Sequence, residues 1–148
     1  MPEAICTKRQ FSHRFRLDPI AIGSKVLVAW NASREARGAI ADAMPFLSAA
    51  QSVTVLVVDP AKSAYKHGEE PGADIALYLA RHGAHVDVEQ ATSERSPIAK
   101  VILSRALDRG KDLIVFGAYS HARWAESIFG GVTRTLLTQM SVPVLASR

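Results

Sequence analysis

The sequence predicts an α/β protein built on a five-stranded, parallel, doubly wound sheet. Short valine-rich apolar runs alternate along the chain with segments whose apolar residues recur at helical spacing. Continuous apolar runs are typical of strands that helices cover on both faces, and strand–helix alternation favours parallel strands joined by right-handed crossovers. Ligands of such sheets bind beyond the carboxyl ends of the strands, where the strand order reverses. The pattern therefore also predicts where a site should lie.

The first half of the chain predicts two strands separated by one helix. The strands are residues 25–30 (KVLVAW) and 52–58 (SVTVLVV). Ser33 stands where its hydroxyl can cap the intervening helix. Pro45 predicts that this helix kinks or ends near its carboxyl end, because proline removes a helix hydrogen bond. Pro60 prevents simple continuation of the second strand.

The second half continues the alternation. Gly83 and Gly110 are placed to end two helices, and Ser96 with Pro97 would open the second of them as cap and first residue. Alternation of apolar and polar residues over 85–90 predicts a strand nearer the sheet edge. The predicted elements are helix 72–82, strand 85–90, helix 97–109, strand 112–116, helix 132–140 and strand 141–146.

Length and charge predict a single domain with a basic extension. The chain has 148 residues, and we assign residues 1–24 to the extension and 25–148 to the domain. Residues 1–25 contain five basic and two acidic residues, so they account for most of the net charge of +4. The remainder is nearly neutral and has no basic stripe or aromatic platform, which argues against a nucleic-acid partner.

Cysteine usage and hydropathy predict a cytoplasmic protein without a membrane partner. Cys6 is the only cysteine, which excludes an internal disulfide, and no Cys/His spacing predicts a zinc site. No stretch approaches the roughly 18 to 20 apolar residues of a membrane span. The extension lacks the apolar run of a secretory signal.

Three loops should meet at the carboxyl edge of the sheet, at residues 30–33, 58–60 and 117–120. If the first and fourth strands are neighbours, the first and third loops flank one crevice. Gly130 and Gly131 precede the last helix, where missing side chains would let an anion approach main-chain N–H groups and the positive end of the helix dipole. The crevice is therefore the predicted ligand site.

The spacing of this glycine-bounded loop resembles that of the universal stress proteins. Nucleotide-binding members of that family carry Gly, two residues, Gly, nine residues, Gly, and then Ser or Thr. Here Gly117, Ser120, Gly130 and Gly131 stand at those four positions. The similarity covers about residues 25–148 and includes the segments VLVAWNASREA, VTVLVVDP, DLIVFGAYSHAR and VPVLAS.

The resemblance implies a Rossmann-like or flavodoxin-like domain that holds ATP or another adenine nucleotide, with Mg²⁺ as the accompanying cation. Asn31 stands where many members have an aspartate near the nucleoside, and Val57 and Val58 lie at the strand end that faces the adenine. Arg123 would either contact phosphate in bidentate fashion or remain a solvated loop charge. The residues at which we expect the nucleotide are Trp30, Asn31, Ala32, Val57, Val58, Gly117, Ser120, Arg123, Gly130, Gly131, Val132 and Thr133.

Three departures from the family pattern keep a second hypothesis open. Asn31 brings no charge to a ribose or metal, Ser120 stands at the second glycine, and Gly131 lacks the hydroxyl of Ser or Thr. The first hypothesis is a dimeric stress-response sensor or switch that binds an adenine nucleotide. The alternative is a dimeric interaction protein of the same fold whose phosphate site has lapsed.

The sequence assigns no catalytic residue and predicts a homodimer. The lysine of the GxxxxGK[ST] motif is absent and no nucleophile-elbow pattern surrounds Ser120, so at most slow ATP hydrolysis is expected. The apolar terminal strand at 142–146 would leave an exposed edge in a monomer. We therefore expect two copies to associate through this strand.

Overall fold

The computed structural model describes residues 22–62, 68–118 and 131–147, which form five strands and four helices around one sheet. The strands are β1 (Lys25–Ala29), β2 (Ser52–Val58), β3 (Val86–Ala91), β4 (Leu113–Gly117) and β5 (Val144–Ser147). The helices are α1 (Arg34–Ala49), α2 (Ala73–Arg81), α3 (Ile98–Asp108) and α4 (Gly131–Gln139), and a single 3₁₀ turn covers Pro60–Lys62.

All strands are parallel and their order is β3-β2-β1-β4-β5. The first and fourth strands are therefore neighbours, with Val28 of β1 in register with Val55 on one side and Val115 on the other. The chain moves outward in one direction from β1 to β3 and in the other from β4 to β5. This reversal places the topological switch point between β1 and β4, and the predicted fold class is confirmed.

Two hydrophobic cores lie on opposite faces of the sheet. Val26 and Val28 point to the face that α1 and α2 cover, whereas Leu27 between them points to the face that α3 and α4 cover. All three side chains are at most 1% exposed. Burial on both faces explains why β1, β2 and β4 are nearly continuous apolar runs in the sequence. By contrast, β3 lies at the edge and Val88 remains exposed.

Helix α1 begins as the sequence predicts but does not end at its proline. The Ser33 hydroxyl accepts a hydrogen bond from the Ala36 N–H at 3.1 Å, which is the expected cap. Pro45 lies inside the helix, which continues for four more residues to Ala49. Pro45 itself is exposed while Ala43 and Leu47 are buried. Tertiary packing of the apolar face therefore outweighs the one hydrogen bond that proline removes.

Helix α3 begins one residue later than predicted. Pro97 occupies the cap position, no side chain caps the helix, and Ile98 is its first residue. The predicted ends of α2 and α3 are confirmed, since Gly83 and Gly110 follow the helices with positive φ angles of 85° and 58°. Glycine adopts that left-handed backbone without the steric cost that other residues incur.

Strand β5 also begins later than the predicted 141. Pro143 has no N–H to donate to the sheet, although its carbonyl accepts a hydrogen bond from the Ile114 N–H at 2.9 Å. Regular pairing with β4 begins at Val144. Val142 is buried against the α3 and α4 face rather than paired in the sheet.

Polar contacts fix the amino-terminal end of the sheet. The Asp112 carboxylate accepts hydrogen bonds from the N–H groups of Gly23, Ser24 and Lys25 at 3.0 to 3.1 Å. The Asp112 N–H in turn donates to the Lys25 carbonyl at 2.9 Å. One carboxylate thus holds the chain as it enters β1 against the start of β4.

A chain of polar side chains, buried at Lys111 and Thr54 and exposed at Asp87, links the loop after α3 to β2 and β3. The Lys111 ammonium donates to the Thr54 hydroxyl at 2.7 Å, and that hydroxyl donates to the Asp87 carboxylate at 3.1 Å. Burial lowers the pKa of Lys111, and the nearby Asp87 carboxylate only partly opposes this effect. Beside this chain, Glu89 of β3 forms ion pairs with Arg105 and Arg109 at 2.7 and 3.0 Å.

Across the described parts of the chain, no helix combines the length and apolar character that a membrane crossing requires.

Candidate functional site

A cleft of about 160 Å³ opens at the carboxyl edge of the sheet, on the face that α3 and α4 cover. It lies where the predicted crevice should be, because β1, β2 and β4 all end there. Its polar lining residues are Asn31, Asp59 and Lys62. Its apolar lining residues are Ala29, Trp30, Leu56, Val58, Ile98, Ile102, Phe116 and Val132, and Gly117 completes the lining.

The interior of the cleft is an apolar slot between the sheet and the first turns of α3. Leu56 and Val58 of β2 form one wall, and Ile98 and Ile102 of α3 form the other. Phe116 of β4 lies on the same sheet face and is buried. Such a slot suits the flat apolar portion of a ligand, with polar groups at the rim to orient it.

The turn between β1 and α1 forms one rim of the cleft. Ala32 adopts a positive φ of 60°, which is uncommon for a residue with a β-carbon. The Asn31 side-chain oxygen accepts a hydrogen bond from the Ser33 N–H at 3.1 Å. The Arg37 guanidinium donates to the Ala32 carbonyl at 3.3 Å. Strained backbone that neighbouring contacts hold in place is often found at ligand sites.

Asp59, the first residue after β2, is fixed at the rim of the cleft, after the strand that neighbours β1. Its φ is 48°, and its N–H donates to the Ala91 carbonyl at 2.9 Å. Its carboxylate accepts hydrogen bonds from the Ser93 N–H at 3.0 Å and from the Ser93 hydroxyl. Burial alone would raise the pKa of Asp59, but the two hydrogen bonds from Ser93 and the Lys62 ammonium, 3.9 Å away, lower it below its ordinary value.

Gly117 at the end of β4 is required by packing. A β-carbon at this position would lie 2.3 Å from the Ala36 nitrogen and 2.4 Å from the Glu35 carbonyl carbon. Both atoms belong to the main chain of α1, so no side-chain rotation could relieve the contact. The absence of a side chain at Gly117 lets the first turn of α1 lie directly against the end of the central strand.

The structure brings together five of the residues that the sequence placed at the ligand, namely Trp30, Asn31, Val58, Gly117 and Val132, all of which line the cleft. The Val57 side chain is instead buried on the opposite face of the sheet. Ala32 packs against the core of the α1 face, Thr133 is buried, and Gly131 begins α4. Ser120, Arg123 and Gly130 lie outside the described residues.

Sequence reasoning missed Asp59 and Lys62, together with most of the apolar slot. The loop 58–60 was expected at the carboxyl edge, but only the valines that precede it were assigned to the ligand. Ile98 and Ile102 stood out as the apolar stripe of a helix, a signal that does not distinguish core from cleft. Among the residues described here, no cluster of three or more His, Cys, Asp or Glu side chains could hold a metal ion.

Comparison with known protein families gives a match over nearly the whole described chain. The model of the universal stress protein family matches residues 24–148. A search of curated proteins gave no match.

Comparison with solved structures gives similar folds at low sequence identity. Universal stress protein UspA from Lactobacillus plantarum is 18% identical with a TM-score of 0.68, over 86% of this chain and 99% of that one. A family protein from Arabidopsis thaliana solved with AMP bound is 18% identical with a TM-score of 0.56, over 84% and 90%. A universal stress protein in complex with cAMP is 14% identical with a TM-score of 0.58, over 84% and 97%.

Proposed function

This chain belongs to the universal stress protein family, and we propose that it is a dimeric stress-response sensor that binds an adenine nucleotide, ATP with Mg²⁺, in the cleft at the carboxyl edge of its sheet. The observation that carries the proposal is the continuity of that cleft. An apolar slot under α3 leads, past the ends of β1 and β4, to the first turn of α4. A nucleotide has the same succession of chemistry, from a flat base to a charged phosphate chain.

The base end of the nucleotide lies in the slot. Leu56 and Val58 supply aliphatic surface on the sheet side, and Ile98 with Ile102 supplies it on the helix side. Burying an apolar ring face here contributes about 25 cal/mol per Å² of area removed from water. Asn31 at the β1 end faces the middle of the ligand, where its amide can both donate to and accept from a ribose.

The phosphate end lies at the amino terminus of α4. Val132, in the first turn, lines the cleft, and Gly131 before it has no side chain to hinder an anion. The main-chain N–H groups of the first turn and the dipole of this nine-residue helix favour negative charge at this point. The phosphate loop would be completed by Ser120, Arg123 and Gly130. Thr133 would add a hydroxyl near the start of the helix. Family members solved with AMP and with cAMP support an adenine nucleotide as the ligand class.

The dimer contact uses the free edge of β5. Among the described residues this strand pairs with β4 alone, so its other edge can pair with a second copy of the chain. Leu137 and Met140 at the end of α4, just before β5, are 43% and 48% exposed. A second copy paired along residues 142–146 would also cover this apolar surface. A cytoplasmic setting, expected from the single cysteine, belongs to the same proposal.

The alternative is that the same fold serves only as a dimeric interaction protein with a lapsed phosphate site. Two residues favour this alternative. Asn31 lacks the charge of the aspartate that the family pattern has there, and Gly131 lacks the hydroxyl of the Ser or Thr at its position. Acid extraction of the purified protein distinguishes the two hypotheses. Copurified adenine nucleotide supports the sensor, whereas an empty extract together with no titration signal supports the interaction protein.

The decisive experiment is calorimetric titration of the wild type and of two matched variants with ATP and Mg²⁺. Val58→Phe fills the slot from the sheet side, and Val88→Phe makes the same change on an exposed strand position outside the cleft. We expect Val58→Phe to weaken binding by about tenfold or more and Val88→Phe to leave it unchanged. Equal affinity in all three proteins would place the nucleotide elsewhere.

Sedimentation tests the assembly. A mass of 16.0 kDa that does not change with concentration would contradict the dimer.

A further inference from the structure

We infer that Asp59 and Lys62 form a base-recognition pair, in which the Asp59 carboxylate accepts a hydrogen bond from the 6-amino group of adenine and the Lys62 ammonium donates to N7. This inference rests on the proposed function and deepens it, because it assigns a cause for preference among nucleotides. The two residues are the charged side chains of the described cleft lining.

The position of the pair follows from the order of the strands. Phosphates at the amino terminus of α4 lie beyond β4, and Asp59 follows β2. β1 separates these two strands, so the two ends of the cleft are two strand spacings apart, roughly 9 to 10 Å. A nucleotide whose phosphates lie at α4 therefore extends its base toward the end of β2. The edge of a base held in the slot then faces the rim that carries Asp59 and Lys62.

Asp59 is a rigid acceptor rather than a mobile surface charge. Its side chain is only 9% exposed, and both carboxylate oxygens accept hydrogen bonds from Ser93. Each oxygen of an ionised carboxylate can accept two hydrogen bonds, so two acceptor positions remain. The backbone at Asp59 is held in the left-handed region by its own N–H bond to the Ala91 carbonyl. The orientation of the acceptor is therefore set before a ligand arrives.

Lys62 supplies the donor beside this acceptor. Its side chain is 67% exposed and its ammonium lies 3.9 Å from the Asp59 carboxylate, beyond direct hydrogen-bond distance. The one-turn 3₁₀ segment Pro60–Lys62 brings the lysine back over Asp59, with the Lys62 N–H bonded to the Asp59 carbonyl at 2.9 Å. The ammonium can move to a new acceptor without breaking a buried contact. The rim thus presents one fixed acceptor and one adjustable donor.

This pairing distinguishes purines by the edge that carries N7. Adenine presents an amino donor next to the N7 acceptor, whereas guanine presents two acceptors, O6 and N7. An acceptor next to a donor at the rim complements the adenine edge. With guanine in the same pose, the carboxylate would face the O6 oxygen without a proton between them, an arrangement that electrostatic repulsion disfavours. The Asp59–Lys62 pair therefore selects adenine over guanine.

The test compares AMP, GMP and 7-deaza-AMP, which lacks the N7 acceptor, by calorimetric titration of the full-length protein and its variants. The wild type should prefer AMP over GMP by roughly tenfold to a hundredfold. Asp59→Asn should reduce that preference by about tenfold or more, since the amide can turn a donor toward O6. Asp74→Asn, which makes the same change at an exposed carboxylate outside the cleft lining, is the matched control and should retain the preference.

Lys62→Met tests the donor and does not depend on the folding of the Asp59 variant. This variant should bind AMP severalfold more weakly and bind 7-deaza-AMP with unchanged affinity, so that the two affinities become equal. Lys100→Met, which removes an exposed charge from α3, is the matched control and should change neither. Equal loss for both ligands in Lys62→Met would mean that the lysine acts through general charge, and would overturn its assignment to N7.

Failure of the inference and failure of the proposed function give different results. If the wild type binds none of AMP, GMP and ATP with Mg²⁺, the proposed function fails and the inference fails with it; if it binds ATP alone, the same comparison is made with ATP, GTP and 7-deaza-ATP. If it binds AMP and GMP equally, or GMP more tightly, the nucleotide site stands and the base-recognition pair is wrong.

Discussion

Substituting Gly117 by alanine should destabilise the domain by about 3 kcal/mol, although the same substitution at an unconstrained position with ordinary φ is mildly stabilising. The new β-carbon would lie 2.3, 2.4 and 2.8 Å from three main-chain atoms of Glu35 and Ala36. Ordinary van der Waals contact begins about 1 Å farther out, so the end of β4 and the first turn of α1 must separate by about that distance. The surrounding core residues cannot follow such a shift without loss of packing, because β1, β4 and α1 share one core.

Urea unfolding measures this effect, with Gly110→Ala as the matched control. Gly110 has a positive φ of 58° and open space around the position of a β-carbon, so its substitution costs only backbone strain, about 1 to 2 kcal/mol. With a slope of about 2 kcal/mol per molar, Gly117→Ala should lower the urea midpoint by about 1.5 M. A Gly117→Ala midpoint equal to or above that of Gly110→Ala would refute the steric argument and reopen a direct role of this glycine at the ligand.

Three further substitutions test other contacts by the same urea titration. Ser33→Ala should lower the free energy of unfolding by about 1 kcal/mol because α1 loses its cap. Ser48→Ala, on the exposed face of α1, should lower it little, and equal losses in the two variants would contradict the capping role. Asp112→Ala should lower the free energy of unfolding by about 2 kcal/mol or more, because three N–H groups at the start of β1 lose their acceptor. A urea midpoint equal to that of the wild type would show that water replaces the Asp112 carboxylate as acceptor. For Lys111 the folded pKa lies below the ordinary 10.5, so the unfolded chain binds the proton more tightly and the free energy of unfolding should rise as pH increases toward 10.5. Lys111→Met should remove this rise in the pH range below 10.5, and its persistence would assign the rise to another group.

The fold could be predicted from the sequence because its determinants are local. Valine-rich runs, the Ser33 cap and the glycines after two helices each act within a few residues. The errors arose where distant packing decides the outcome. Of the two outcomes predicted at Pro45, a kink or an end of the helix, the end does not occur because α1 is held by its buried face, and β5 begins after Pro143 because only then can the chain donate to the sheet.

The position of the candidate site could be predicted from the sequence, but only some of its lining residues could be identified. The order of strands and helices predicted the crevice between β1 and β4, and Asn31, which the sequence placed at the ligand, lies in the cleft lining. Asp59 was missed because its partner Ser93 lies 34 residues away, so nothing near Asp59 in the sequence signals a fixed carboxylate. Val57 and Val58 looked equivalent in an apolar run, but alternation along the strand sends their side chains to opposite faces.

The packing that requires Gly117 also determines which face of the sheet carries the cleft. At the end of β4 the α1 face is filled by the first turn of that helix, and the cleft formed by the described residues opens on the face of α3 and α4. A ligand in that space contacts Val132 in the first turn of α4, and α4 leads within five residues to β5 at the sheet edge. In the proposed sensor, the nucleotide and the second copy of the chain therefore act on opposite ends of one short helix. Ordering of that helix by the nucleotide is the physical route by which binding would strengthen the dimer, and dimerisation must then strengthen nucleotide binding by the same factor.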